Sequence, residues 1–366
     1  MTRATHIPIE KIEVSAFTIP TDYPEADGTY AWDQTTIVIV EAGAGGQRGL
    51  GYTYADTATA KLIQSTLAEV VQGRNVLDVP GAWEAMLRAI RNLGRPGIAS
   101  MAISAVDVAL WDCKARLLDL PLVSLLGGTH QDAPIYGSGG FTTYPIPKLR
   151  EQLGGWVERG IPRVKMKIGT HPADDLGRVR AARAAIGPDA QLFVDANGAY
   201  SRKQALQQAE AFAALGVAWF EEPVTSDDLD GLRLLRDRAP AGIDIAAGEY
   251  GYDLWYFRRM LDAGAVDVLQ IDATRAGGIT GFIRAAALAE AQSLPVSAHC
   301  APMLHLAPMC HVALTRPMEY FHDHVRIERL LFEGVVEPVD GALTPDRSRP
   351  GLGIELKRSE AQRFAA

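Results

Sequence analysis

Along residues 7–40 apolar and polar positions change in short steps. Ile7-Pro8-Ile9-Glu10-Lys11-Ile12-Glu13-Val14 roughly alternates, and Thr35-Thr36-Ile37-Val38-Ile39-Val40 is a β-branched run, so both predict strands. Between them, Pro20-Thr21-Asp22-Tyr23-Pro24-Glu25-Ala26-Asp27-Gly28 predicts a turn-rich loop. Alanine- and leucine-rich segments at about 56–72, 81–93 and 100–119 then take helical spacing, as at Ile103, Val106, Ala109 and Leu110. The opening third is therefore an α+β unit of two or three strands followed by helices.

After Gly127-Gly128 the pattern becomes a repeated couplet, a short apolar run ending in polar residues and then an amphipathic helical stretch. The runs fall at 133–137, 163–168, 191–197, 218–223, 243–249, 266–272, 295–300 and 318–321, with helical stretches such as 174–186, 202–215, 254–263 and 279–293 between them. Eight βα units in about 190 residues predict a (β/α)8 barrel. A doubly wound open sheet would place a glycine-rich dinucleotide turn after its first strand. Residues 133–140 end in Gly-Ser-Gly-Gly and lack that spacing, so the barrel is preferred.

Composition narrows the partners more than the fold. With 44 acidic and 36 basic residues the chain carries a formal charge of −8, and 48% hydrophobic and 22% charged residues match an ordinary globular protein. No apolar run approaches the roughly 20 residues that span a bilayer. Residues 1–6 lack a signal-like apolar stretch, so no membrane partner and a cytoplasmic location are expected. The absence of basic clusters argues against nucleic acid. Cys113, Cys300 and Cys310 are odd in number without a CxxC pair, which disfavours a disulfide framework or a structural zinc.

The strand ends carry the chemistry. In a parallel barrel the C-terminal ends of the strands converge on one mouth, so residues far apart in sequence become neighbours there. Asp195, Glu221 and Glu249 close three successive runs. Three such carboxylates, if they are not separate helix caps or ion pairs, are costly unless a hard cation offsets them, and Mg2+ is the natural choice. Glu221 and Glu222 are adjacent on a strand and point to opposite sides, so one of them is a ligand, and the spacing does not say which. Lys165 and Lys167 are two apart and face the same way. Beside a metal and partly desolvated, their pKa values are expected to fall towards those of a useful base. His299 and Asp272 end neighbouring strands, so the carboxylate can accept from one imidazole nitrogen and leave the other for proton transfer. Glu319 can hydrogen-bond a developing enolate oxygen if protonated, or pair with Arg326 or Arg329. His322, Asp323 and His324 read as structural or supporting residues rather than ligands. A cation with a base on each side suits removal of a proton next to a carboxylate.

Taken together, Lys-x-Lys, Asp-x-Asn, Glu-Glu-Pro, Gly-Glu, Asp-x-x-x-x-Gly-Gly, His and Glu across residues 134–319 resemble the enolase superfamily, mandelate racemase subgroup. Ile103-Ser104-Ala105-Val106-Asp107-Val108-Ala109-Leu110-Trp111-Asp112 and Leu125-Leu126-Gly127-Gly128 extend the resemblance over nearly the whole chain. The resemblance implies Asp195, Glu221 and Glu249 as Mg2+ ligands, which selects Glu221 over Glu222. It further implies Lys167 as the base, Lys165 at the substrate carboxylate, His299 with Asp272 as the opposing pair, Glu319 as a donor to that carboxylate and Asn197 near the metal. It implies an α+β cap at 1–127, a barrel at 128–322 and a segment at 323–366 returning to the cap. Cap loops at 19–32 and about 49–53 make Tyr23, Tyr30 and Tyr52 candidates for substrate selection. The expected activity is Mg2+-dependent dehydration of a sugar acid through an enediolate, with a racemase, epimerase or lactone cycloisomerase as alternatives on the same groups. A non-catalytic binding protein is least favoured, because the lysines, the histidine pair and the carboxylates are all intact. The expected partner is a small carboxylate, and the expected assembly a homo-oligomer.

Overall fold

The computed structural model describes residues 5–366, so Met1–Ala4, part of the stretch behind the cytoplasmic expectation, lie outside the described residues. Three antiparallel strands, β1 (Ile9–Ala26), β2 (Ala31–Ala44) and β3 (Gln47–Tyr54), open the chain. The β-branched run is the middle of β2. Its uninterrupted apolar character follows from burial on both faces: Val38 and Val40 pack against the cap helices, while Ile37 and Ile39 join the large cluster shared with the barrel. The helix Ile98–Leu117 lies so close across β3 that a β-carbon on Gly51 would sit 2.2 Å from the Ala105 carbonyl oxygen.

The turn-rich loop expected at residues 20–28 is instead mostly strand. β1 runs on to Ala26, with a bulge between the pairs Pro20–Gln34 and Glu25–Trp32. The residues that suggest a loop have partners outside it, one on the adjoining strand and one distant in sequence: Trp32 Nε1 donates to Glu25 Oε2 at 2.9 Å, and Thr143 Oγ1 donates to the Pro24 carbonyl at 2.6 Å.

Eight parallel strands follow, β4 (Ala133–Gly139), β5 (Arg163–Lys167), β6 (Gln191–Asp195), β7 (Val217–Glu221), β8 (Asp244–Ala247), β9 (Val268–Ile271), β10 (Val296–Ala298) and β11 (Met318–Phe321). Each pairs with the next through β10, and β11 returns to pair with β4, which makes the expected barrel. Between β10 and β11 the contact is looser, held by a single bridge from Val296 to Thr315 and by Ser297 Oγ donating to the Pro317 carbonyl at 2.8 Å. Period-two alternation sorts the side chains. Val164, Met166, Leu192, Val194 and Phe220 face outward to the helices, while Tyr136, Phe193, Trp219, Ala246 and Val268 fill the interior as a floor.

The cap meets the barrel at the tip between β1 and β2. Thr170 Oγ1 donates to the Asp27 carbonyl at 2.6 Å, the Thr142 amide donates to the Ala26 carbonyl at 2.9 Å, and Thr29 Oγ1 donates to the Asn197 carbonyl at 3.3 Å. The chain end runs back over the first sheet, where the Ala366 amide donates to the Ala16 carbonyl and Arg358 pairs with Glu41. No helix among the described residues is long and apolar enough to cross a membrane.

Candidate active site

Directly above the aromatic floor, the next inward positions of the same strands are charged. Strand register sets Lys167 beside Asp195 and Asp195 beside Glu221, one layer above the Phe193–Trp219 pair. Trp219 Nε1 and Gln270 Nε2 each donate to Glu221 Oε2 at 3.0 Å, and Gln270 also donates to the Tyr136 hydroxyl. The floor therefore fixes Glu221 from below and leaves Oε1 for Lys165, whose ammonium donates to it at 2.5 Å.

Asp195, Glu221 and Glu249 are all buried, and one oxygen from each lies within 4.8 Å of the others. Lys167 Nζ donates to Asp195 Oδ2 at 2.5 Å. Five buried carboxyl groups, those three with Glu222 and Glu319, share two ammonium groups and the Arg275 guanidinium, which reaches Glu249 Oε1 at 3.5 Å. Burial, then Asp195, pushes the Glu221 carboxyl well up, and burial, then Glu249, does the same to Glu222. Glu249 Oε2, Glu222 Oε1 and Asn197 Oδ1 are buried with no hydrogen-bond partner among the described residues. Surplus negative charge and unpartnered hard oxygen donors fit a divalent cation of the Mg2+ type at the trio. Asn197 and Glu222 follow their strands with φ of 45° and 37°, left-handed backbone that is strained in non-glycine residues.

The lysines differ from expectation. Burial opposes the charge on Lys165, but Glu221 and Glu319 outweigh it and hold its pKa well above the ordinary value. Lys167 is likewise raised, because Asp195 outweighs burial. The expected lowering assumed a cation as the dominant neighbour, whereas here the carboxylates face the lysines directly.

Across the mouth, His299 Nδ1 lies 2.8 Å from Asp272 Oδ2, with Arg275 also 3.6 Å from that carboxylate. Burial works against the Asp272 charge, yet the His299 hydrogen bond and charge hold it below the ordinary range. His299 Nε2 is thereby left facing Glu249 Oε2 at 3.3 Å and Cys300 Sγ at 3.3 Å. Glu319 pairs with neither arginine proposed for it. It accepts from Ser138 Oγ at 2.6 Å and the Cys300 amide at 3.0 Å and pairs with Lys165 at 2.8 Å, while Arg326 pairs with Asp323 and Arg329 with Glu337. Against the burial penalty, Lys165 and His299 hold Glu319 ionised.

A cavity of about 450 Å3 opens above these groups, bounded by Lys167, Asn197, Glu249 and His299 below and by Tyr30 and Tyr54 from the cap. Two of the three tyrosines expected there lie elsewhere. Tyr23 sits on the β1 bulge, turned edge-on to Tyr144 under Lys148. Tyr52 is buried two residues short of the mouth, and its hydroxyl donates to Glu328 Oε1 at 2.6 Å. Tyr54, on the same face of β3, reaches the cavity and stacks on His324 with ring centroids 3.4 Å apart. Burial depresses the His324 pKa to about 3, and its Nδ1 accepts from the Ala301 amide, so it is a neutral imidazole lining the cavity. Arg275 is a further residue that strand-end reasoning missed. Its position three residues beyond Asp272 was the available signal, since that loop also lies at the mouth.

Comparison with known proteins agrees along the whole length. Residues 11–127 match the mandelate racemase / muconate lactonizing enzyme N-terminal domain, and residues 148–361 match the enolase C-terminal domain-like family. The crystal structure of a mandelate racemase/muconate lactonizing enzyme-like protein from Rubrobacter xylanophilus is 56% identical, with a TM-score of 0.96 over 98% of this chain and 100% of that one. The 3,6-anhydro-alpha-L-galactonate cycloisomerase of Streptomyces coelicolor is 31% identical over 98% of this chain and 99% of its own. The L-talarate/galactarate dehydratase of Salmonella typhimurium LT2 is 30% identical over 97% of this chain and 90% of its own. The structure of a mutant of that dehydratase liganded with Mg and L-glucarate gives a TM-score of 0.91, covering 100% of this chain and 94% of that one. This chain belongs to the mandelate racemase/muconate lactonizing enzyme-like family of the enolase superfamily.

Proposed function

We propose that this protein dehydrates a sugar acid in a Mg2+-dependent reaction. One observation carries the reading: two proton-transfer groups, Lys167 on β5 and His299 beside Asp272 at the ends of β10 and β9, flank a buried carboxylate trio from opposite sides of one mouth. Asp195, Glu221 and Glu249 would hold the ion, with Asn197 alongside. When bound, Mg2+ supplies positive charge that favours loss of the proton next to the substrate carboxylate. An ion held by Asp195 would take away the main support of the Lys167 charge; once Lys167 has released its ammonium proton to solvent, its amine accepts the α-proton at Nζ. Lys165 faces the substrate carboxylate as a cation, and Glu319, ionised beside it and so not the protonated donor expected, holds that ammonium in place. Asp272 accepts from His299 Nδ1, so the imidazolium gives its Nε2 proton to the β-hydroxyl, which leaves as water. The cap supplies Tyr30 and Tyr54 to the rim and thereby selects the acid, while its tip limits water.

A second reading, lactone or anhydro-ring cycloisomerisation, is favoured by the Streptomyces coelicolor relative, and it uses the same groups with a ring oxygen as the leaving atom. Incubation with Mg2+ and a panel of sugar acids and their anhydro or lactone forms in D2O, followed by NMR and mass spectrometry, separates the two. Dehydration shows α-proton loss together with loss of one water, and cycloisomerisation shows a product of unchanged composition. Absence of both exchange and turnover from a Mg2+-binding protein across that panel would overturn both readings.

A further inference from the structure

Of the two histidines in His322-Asp323-His324, only His324 joins the mouth. His322 begins the helix His322–Leu331 and lines a separate outer cavity of about 670 Å3 together with Asp22 and Arg326. Its Nε2 lies 3.0 Å from Asp22 Oδ2 on the β1 bulge. Three residues further along that strand, Glu25 is fully buried. Its Oε2 accepts from Trp32, while Oε1 has no hydrogen-bond partner among the described residues. One donor atom from each of Asp22, Glu25 and His322 falls within 4.8 Å of the other two, the spacing of donors around a shared ion.

The surrounding charge points the same way. Asp323 lies near Glu25 and is bound by Arg326 and by Thr35 Oγ1, so the nearby groups are three carboxyls against one guanidinium. Burial, then Asp323, pushes the Glu25 carboxyl up to about 9, which marks an acid placed where the protein alone does not satisfy it. None of these groups touches the lysines, the carboxylate trio or His299, so the mechanism above does not account for them.

We propose that Asp22, Glu25 and His322 form a second cation site, apart from the barrel mouth, for a divalent transition ion of the Zn2+ class. An imidazole with two carboxylates suits Zn2+ or Co2+ better than Mg2+, whereas the mouth offers only oxygen. The outer cavity gives such an ion access from solvent. Asp22 and Glu25 belong to the first sheet and His322 to the last barrel strand's helix, so the ion ties the cap strand to the barrel.

The test strips metal from the full chain with a chelator, saturates the mouth with Mg2+ and titrates Co2+, reading visible absorption and bound metal per chain. The expected result is one Co2+ per chain, with affinity reduced at least about tenfold in both His322→Gln and Glu25→Gln. Asp22→Asn, at an exposed position, gives the same answer if either of those variants fails to fold. No Co2+ bound above Mg2+, or equal binding in wild type and variants, overturns the proposal. A signal retained in His322→Gln but lost in Glu249→Gln also overturns it, since that ion sits in the mouth. The readout is independent of turnover, so it stands or falls separately from the dehydratase reading.

Discussion

Gly28, at the cap tip, offers a sharp test of how the cap acts on the barrel. A β-carbon there would sit 2.2 Å from the Ala196 carbonyl oxygen and 2.7 Å from that of Ile168. Both are backbone atoms at strand ends that hold Lys167 and Asp195, so neither can swing aside. Gly28→Ala therefore forces the tip to withdraw by ~0.8 Å to restore an approach of 3.0 Å. That movement strains the bonds from Thr170 to Asp27, Thr142 to Ala26 and Thr29 to Asn197. Neutral hydrogen bonds contribute about 1 kcal/mol each, so docking of the tip is weakened by about 2–3 kcal/mol. At about 1.4 kcal/mol per tenfold, kcat/KM should fall roughly 30- to 140-fold if substrate turnover needs the docked tip. Steady-state kinetics on an acid the wild type consumes, with Mg2+ affinity measured in parallel, checks this. The carboxylate trio lies wholly on the barrel, so Mg2+ affinity should not change. A kcat/KM within about twofold of wild type would refute the idea that the tip is docked during turnover.

Other consequences are as direct. Lys167→Ala should lower turnover and α-proton exchange by at least about 10²-fold while retaining Mg2+ binding by calorimetry, and near-normal exchange would remove Lys167 as the base. Chelation should abolish turnover, and Mg2+ at about 100 times its Kd should stabilise the fold by about 2.7 kcal/mol in thermal melts, whereas an unchanged Tm would count against the trio as the ligand set. Glu328, buried beside Tyr52, has its carboxyl pushed up to about 8 by burial. A raised carboxyl favours the fold while protonated, so its contribution is present below the unfolded value near 4.5 and lost as pH rises through about 8. Glu328→Gln should therefore flatten the fall in Tm between pH 5.5 and 9, and parallel curves for the two proteins would contradict the assignment.

Much of the barrel was legible because strand burial is written locally. Alternation put Lys165, Lys167 and Asp195 on the side of Phe193, and the order of the strands then forced their ends together. What failed depended on partners outside each local stretch of sequence. Residues 20–26 look like a loop until Trp32 and Thr143 bond to them. Tyr52 looked suited to the mouth, but only the depth at which β3 meets Glu328 shows that Tyr54 is the residue that reaches it. The lysine pKa direction depended on which charge lies nearest, and that is a matter of ångströms rather than of spacing along the chain.

The aromatic floor of Tyr136, Phe193 and Trp219 closes the mouth from below. Substrate and product are thereby directed to the cavity on the cap side, bounded by Tyr30 and Tyr54. A proton taken by Lys167 can exchange with bulk solvent through that cavity. The rate at which deuterium enters the recovered substrate then reports how freely solvent reaches Lys167 during an encounter, and isotope wash-in reads access to the mouth as well as chemistry.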